Sequence, residues 1–199
     1  MPRIGDMSIR FHRVDLTGSF FRFVGVSCES LPLSRESGHM TNQPTRVLFI
    51  CMGNICRSPA AEAVFVSLLD DRGLTDRFHV DSAGTGGWHA GAPADARSRA
   101  EGERRGFELS TTARQVHDGD WEAFDLLVCM DHDNAALLSE RGAPDHKVRL
   151  LLEWHPDSTH REVPDPYYGG PEGFVHMYDL IESACERLLE ELEASSAAD

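Results

Sequence analysis

"RVLFICMGNICRSPAAEAVF", Arg46 to Phe65, decides how this chain is read. The apolar run Arg46–Ile50 has the length and content of a buried strand. It ends on Cys51. A short polar loop with Gly53 and Asn54 follows, and Arg57 stands six positions after the cysteine. Ser58 and Pro59 then open a helical pattern. Ala61, Val64, Phe65, Leu68 and Leu69 share one face of it, Pro59 suits a first turn, and Gly73 suits the end. A strand and a helix thus bracket one cysteine and one arginine.

The alternation continues outward. "RFHVDSAGT" (77–85) reads as a second strand, "FDLLVCM" (124–130) as a third and "KVRLLLE" (147–153) as a fourth. Between them lie a polar helix closed by Gly106 and a helix capped by Asp131 or Asp133. A long loop, 155–170, leads to a last helix with Phe174, Met177, Tyr178, Ile181, Ala184 and Leu188 at helical spacing. Strands alternating with helices predict an α/β chain. Its core is a doubly wound, flavodoxin-like, four-stranded parallel sheet with helices on both faces.

Residues 1–45 lack a sustained period and have linker composition, so they are expected to be a disordered leader or an upstream-start extension, with Met40 as an alternative start. One domain is expected over 46–194, with a short tail at 195–199.

The chain of 199 residues carries a formal net charge of −14. That argues against a nucleic-acid surface, which needs a positive face. It leaves room for a small anion site, since backbone amides and one arginine can hold a phosphate. The 5 cysteines are scattered, with no CxxC and no zinc spacing, so neither a disulfide scaffold nor a metal site is expected. No apolar run approaches a membrane span and no secretory pattern opens the chain. A cytoplasmic protein with no membrane partner is the expectation.

In parallel sheets of this kind, ligands bind at the carboxyl ends of the strands, where Cys51–Arg57 would sit. The amides at the start of the following helix favour an anion and the ionised form of a thiol. Gly53 and Asn54 tolerate the dihedrals that turn loop amides inward. Arg57 offers a planar fork to two phosphate oxygens. A thiolate inside that cradle faces phosphorus, which is the arrangement of nucleophilic phosphoryl transfer. C-x5-R alone is weak, because a buried structural cysteine and a surface arginine give the same spacing. The weight comes from the strand before, the helix after, Gly-Asn within and Ser-Pro at the exit.

"CMGNICRSP" (51–59) resembles the phosphate loop of low-molecular-weight protein tyrosine phosphatases. "DSAGTGGWHAGAPADARS" (81–98) and "VPDPYYGG" (163–170) resemble two further landmarks of that family, in the same order. The similarity spans about Arg46 to Leu192 and is nearest in detail to bacterial, actinobacterial-like members. The resemblance implies Cys51 as nucleophile, Arg57 as phosphate clamp and Asp165 as general acid. It implies Met52, Gly53, Asn54, Ile55, Cys56 and Ser58 as the rest of the phosphate cradle. Asn54 and Ser82 resemble a pair whose hydrogen bond holds the loop, and Ser58 a hydroxyl that donates to the thiolate. Trp88, Tyr167 and Tyr168 resemble the walls of the substrate slot. Thr111 departs from the pattern: many members carry there a histidine that supports Ser58, and a threonine can hydrogen-bond but bears no charge. The implied reaction hydrolyses phosphotyrosine proteins through a phosphocysteine, without metal or cofactor, with inorganic phosphate as product and inhibitor.

The chemistry is consistent on its own terms. A phenolate leaving group, with a pKa near 10, departs more readily when a carboxylic acid protonates it. Asp165 between two prolines is otherwise a plain turn-former, and Trp88 a packing plug. Cys129 reads as core, and His89, His155 and His160 as surface or hydrogen-bonding residues. Arsenate reduction would need two further cysteines in relay. A protein arginine phosphatase tends to carry threonine where Ile55 stands. A phosphotyrosine-binding scaffold needs neither nucleophile nor acid.

Overall fold

The computed structural model describes residues 43–157 and 159–197. Nearly all of the expected leader therefore lies outside the described residues, and Thr45 already belongs to the first strand. The elements are β1 Thr45–Cys51, α1 Arg57–Asp71, β2 Phe78–Gly84, α2 Ala96–Arg105 and α3 Asp120–Ala123, then β3 Leu126–Cys129, α4 His132–Glu140, β4 Val148–Leu150 and α5 Pro171–Ala197. The four strands form a sheet in the order β2-β1-β3-β4, with all three pairings parallel. Strand order reverses at β1, so the crevice beside the end of β1 is the switch point.

β1 is buried on both faces, and its alternate residues serve two layers. Val47 and Phe49 join a core with α1 and α5, where Phe65 meets Phe49 and Phe78 edge-on at 5.6 and 6.0 Å. Leu48 and Ile50 point into a second core with Trp121 and Leu138 on the α3 and α4 side. α1 buries Ala61, Val64, Phe65 and Leu69, four of the five positions expected to face inward. The predicted stripe of α5, from Phe174 to Leu188, is buried throughout.

Two boundaries differ from the sequence reading. The fourth strand stops at Leu150, and Leu151–Glu153 turns into a 3-10 segment. Glu153 closes that turn by accepting from the Leu150 amide at 2.9 Å. α5 runs on to Ala197, into the stretch expected to be a tail. Of the two candidate caps for α4, it is Asp131 whose carboxylate accepts from the Asn134 amide, at 2.7 Å.

Candidate active site

The loop between β1 and α1 is held from outside by its carbonyls. Cys51 O accepts from Thr85 N at 2.8 Å, Met52 O from Gly86 N at 2.8 Å, and Ile55 O from Asp95 N at 2.7 Å. Cys56 O accepts from Ala60 N and from the Ser98 hydroxyl. In a trans peptide the N–H points opposite to its C=O. The amides of Met52, Gly53, Cys56 and Arg57 therefore face the inside of the loop, at the start of a 15-residue helix. That is an anion cradle made of backbone. Asn54 accommodates the reversal with φ 53°, a left-handed backbone that asparagine tolerates better than most residues.

At the centre lies Cys51, 2% exposed. Its sulfur accepts from Asn54 N at 3.2 Å and from the Ser58 hydroxyl at 3.1 Å. Asn54 Nδ2 donates to Ser58 Oγ at 2.9 Å and to Ser82 Oγ at 2.8 Å. Cys56 is also buried, but burial, and behind it the negative neighbours Asp95, Cys51 and Asp165, push its thiol up to about 12. It is a neutral part of the wall.

Arg57 is 3% exposed and clamped by two carboxylates. Nη1 donates to Asp131 Oδ2 at 2.6 Å and Nη2 to Asp165 Oδ2 at 3.0 Å. Burial works against its charge, but Cys51, Asp165 and Asp131 outweigh it and hold its pKa above the usual value. Asp165 is fixed a second time, because its Oδ1 accepts from Tyr167 N at 3.0 Å. Over these groups stands a cleft of about 360 Å³, walled by Met52, Ile55, Trp88, His89, Tyr167 and Tyr168. Trp88 is 75% and Tyr168 96% exposed, and Tyr167 meets Tyr168 edge-on at 5.0 Å.

Residues 46–198 match the family described as low molecular weight phosphotyrosine protein phosphatase. The chain belongs to that family. The low molecular weight protein-tyrosine-phosphatase of Streptomyces coelicolor is 44% identical over 151 residues, 72% of this chain and 91% of the relative. The human low molecular weight phosphotyrosine protein phosphatase is 38% identical over 156 residues, 76% of this chain and 98% of the relative. Among solved structures, a protein tyrosine phosphatase of Entamoeba histolytica with Hepes in its active site superposes with TM-score 0.74 at 41% identity. That match covers 76% of this chain and 98% of the other.

In this low molecular weight phosphatase fold the site residues read from the sequence come together: Cys51–Ser58 as one loop, Ser82 beneath it, Asp165 and the aromatics above it. Four further residues were missed. His89, read as a surface or hydrogen-bonding residue, lines the cleft with its ring 6.5 Å from that of Tyr167. Asp131 holds Arg57. Arg97 pairs with the α2 cap Asp95 at 2.9 Å and donates to Tyr167 O at 3.0 Å, so the start of α2 ties the phosphate loop to the Asp165 loop. Glu62 is the fourth. Thr111 makes no hydrogen bond to Ser58; its hydroxyl donates to Glu62 Oε1 at 2.7 Å, and Ser82 Oγ donates to Glu62 Oε2 at 2.6 Å. Of these, Asp131 left a local signal, as a cap candidate for α4, and so did Asp95, the partner of Arg97, an Asp followed by a helical run. No helix among the described residues is long and apolar enough to cross a membrane.

Proposed function

We propose that this chain hydrolyses phosphotyrosine in proteins by way of a phosphocysteine. One observation carries the reading: the Cys51 sulfur sits inside a ring of inward amides, beside an arginine that two carboxylates hold in place. A phosphoryl dianion entering the ring engages the amides and the fork of Arg57. The sulfur then stands in line with phosphorus, with Asp165 on the far side, where the leaving oxygen emerges. Cys51 attacks phosphorus and the P–O bond to the tyrosyl oxygen breaks. Asp165 gives that oxygen its proton. Water next attacks the phosphocysteine, Asp165 takes the water's proton, and the thiolate returns with release of inorganic phosphate. The aromatic walls, formed by Trp88, Tyr167 and Tyr168, suit a flat phenyl ring. Apart from the attacking water, each step uses groups of this chain. Product phosphate fits the same cradle and should inhibit.

The relatives named as tyrosine phosphatases support the substrate class. Ile55, which lines the cleft at 9% exposure, favours the tyrosine reading over arginine phosphate. Cys129 and Cys185 are both fully buried, which speaks against a cysteine relay to arsenate. The test is steady-state hydrolysis of phosphotyrosine, phosphoserine and phosphoarginine peptides, with arsenate reduction in parallel. Turnover should be confined to phosphotyrosine, and quenched reactions should carry phosphate on Cys51 by mass spectrometry. Phosphoarginine turnover or arsenate reduction without phosphotyrosine turnover would overturn the reading.

A further inference from the structure

We propose that Arg97 is a positioning residue for the general acid: acting through Tyr167, it holds the Asp165 carboxyl at the leaving oxygen while Arg57 is engaged with phosphate. The inference rests on the phosphatase reading, in which Asp165 protonates the leaving group.

Asp165 stands midway between two anchored residues, Val163 and Tyr167. Val163 is fixed beyond the end of β3. Its N–H donates to Met130 O at 2.8 Å, and its carbonyl accepts from Arg57 Nη1 at 3.2 Å. Tyr167 is fixed by Arg97, whose Nη1 donates to its carbonyl at 3.0 Å. The carboxyl between them has two bonds of its own. Oδ2 accepts from Arg57 Nη2 at 3.0 Å, and Oδ1 accepts from the Tyr167 N–H at 3.0 Å. The reaction treats these two bonds differently. The fork of Arg57 is what a phosphoryl group takes up, so that hold competes with the substrate. The bond from the Tyr167 N–H does not, and Tyr167 is held from behind by Arg97.

The guanidinium of Arg97 is itself fixed in plane and position. Its Nε and Nη2 donate to the two oxygens of Asp95 at 3.0 and 2.9 Å, which leaves Nη1 for Tyr167 O. Its central carbon lies 5.5 Å from the Tyr167 ring centre and 4.8 Å from that of Phe174, so it touches both the acid loop and the first turn of α5. The footing is the phosphate loop, because the Asp95 N–H donates to Ile55 O at 2.7 Å. One line of bonds therefore runs from the loop of the nucleophile through Asp95, Arg97 and Tyr167 to the carboxyl of the acid. Arg97 stands outside the cleft wall, so it has no direct part in holding substrate. A lysine cannot replace it, since one ammonium cannot reproduce the planar fork that serves Asp95 and Tyr167 together.

The test is steady-state hydrolysis of phenyl phosphate and nitrophenyl phosphate by the full chain. It compares wild type, Arg97→Met, Arg97→Lys, Asp165→Asn and the double variant Arg97→Met with Asp165→Asn. Methionine keeps an apolar stem between the two rings, and the residue 97 N–H that caps α2 on Asp95 is backbone and stays. In Arg97→Met, kcat on phenyl phosphate should fall by roughly 10- to 10²-fold, the scale of a small misplacement of a catalytic group. On nitrophenyl phosphate, whose leaving group needs little help from an acid, it should fall by no more than about 3-fold. Damage to the Tyr167 wall alone would touch the two esters alike, since both carry a ring. Arg97→Lys should show the same selective loss, and it decides if Arg97→Met does not fold. On phenyl phosphate the double variant should lose no more than Asp165→Asn, because Arg97 acts through Asp165. An unchanged kcat on phenyl phosphate, an equal loss on the two esters, or an additive loss in the double variant would overturn the proposal. So would an equal loss on both esters in Asp165→Asn, which leaves no acid to position. Failure of the phosphatase reading looks different, because wild type would then hydrolyse neither ester, and the proposal would fall with it.

Discussion

A carboxylate and a guanidinium 108 residues apart in sequence meet at 3.0 Å over the Cys51 sulfur. Asp165 pairs with Arg57 and, in the reaction proposed above, also serves the leaving oxygen, and a substitution separates the two. Asp165→Asn keeps the size and removes the acid proton. Hydrolysis of phosphotyrosine or phenyl phosphate, whose leaving groups need a proton, should fall by roughly 10²–10⁴-fold. Nitrophenyl phosphate, with a leaving group stable as an anion, should lose much less. Rates on the two esters in the same preparation decide the matter; an equal loss on both would mean that Asp165 only positions Arg57. Asp131 is the poorer candidate for the acid, because Asp165 lines the cleft and Asp131 does not. At this scale the sequence reveals residues whose chemistry is local or carried by a motif: Cys51, Arg57 and Asp165. It hides residues defined by a distant partner. Asp131 acquires its role from an arginine 74 positions away, and Glu62 from Thr111 49 positions away. An acidic residue on a helix otherwise reads as solvated surface.

The phosphate loop owes its shape to the neighbouring strand as much as to its own residues. β2 pairs with β1 in register up to Cys51 opposite Gly84, and there the loop leans directly on the strand. A Cβ on Gly84 would stand 2.9 Å from Met52 O, 3.0 Å from Gly53 C and 3.0 Å from Gly86 O. All three are backbone atoms, so no side chain can swing aside. Gly84 cannot retreat either, since its N–H and C=O are bonded to Arg114 O and Val116 N. Gly84→Ala should therefore displace the loop. A misplacement of about 1 Å costs on the order of 10²-fold in rate, so kcat/KM on phosphotyrosine should drop toward that scale while far-UV circular dichroism is retained. Wild-type kinetics in this variant would show that the loop keeps its shape without β2. The strand–loop–helix unit was legible because a buried strand and an amphipathic helix have different periods on either side of a glycine. The end of β4 was not, because Leu151 and Leu152 are buried whether the backbone is extended or turned, and an apolar run does not distinguish the two. α3, with 4 residues, is too short to show any period.

Across the whole molecule, α2 and α5 must stay in place for the site to hold, since α2 begins at the Asp95–Arg97 tie and α5 follows directly from the Asp165 loop. Arg105, the last residue of α2, joins that helix to the first half of α5. Its guanidinium donates to Glu182 at 2.6 Å, Asp179 at 2.8 Å and Val175 O at 3.0 Å, all on α5, and lies 5.4 Å from the Tyr178 ring centre. Glu101, one turn back on α2, steers it by accepting from its Nε at 2.6 Å, and accepts from Arg104 at 2.7 Å as well. The Arg104 bond, with that of Arg105 behind it and burial opposing both, lowers the Glu101 carboxyl to about 2 from its ordinary 4.5. A carboxyl depressed on folding stabilises the native state when the unfolded chain would also be ionised. That contribution is full above about pH 4.5, declines as pH falls, and is gone below about pH 2. Glu101→Gln removes it at all pH values. At pH 7 the variant should be less stable by about 1 kcal/mol, the sum of two partly screened helical ion pairs and the orientation they give Arg105. Urea melts of the two proteins side by side should show that gap at pH 7 and pH 5, and a progressively smaller gap at pH 4 and pH 3. A gap that stays constant down to pH 3 would assign the effect to packing, and no gap at pH 7 would mean that the three acceptors on α5 hold Arg105 without help from Glu101.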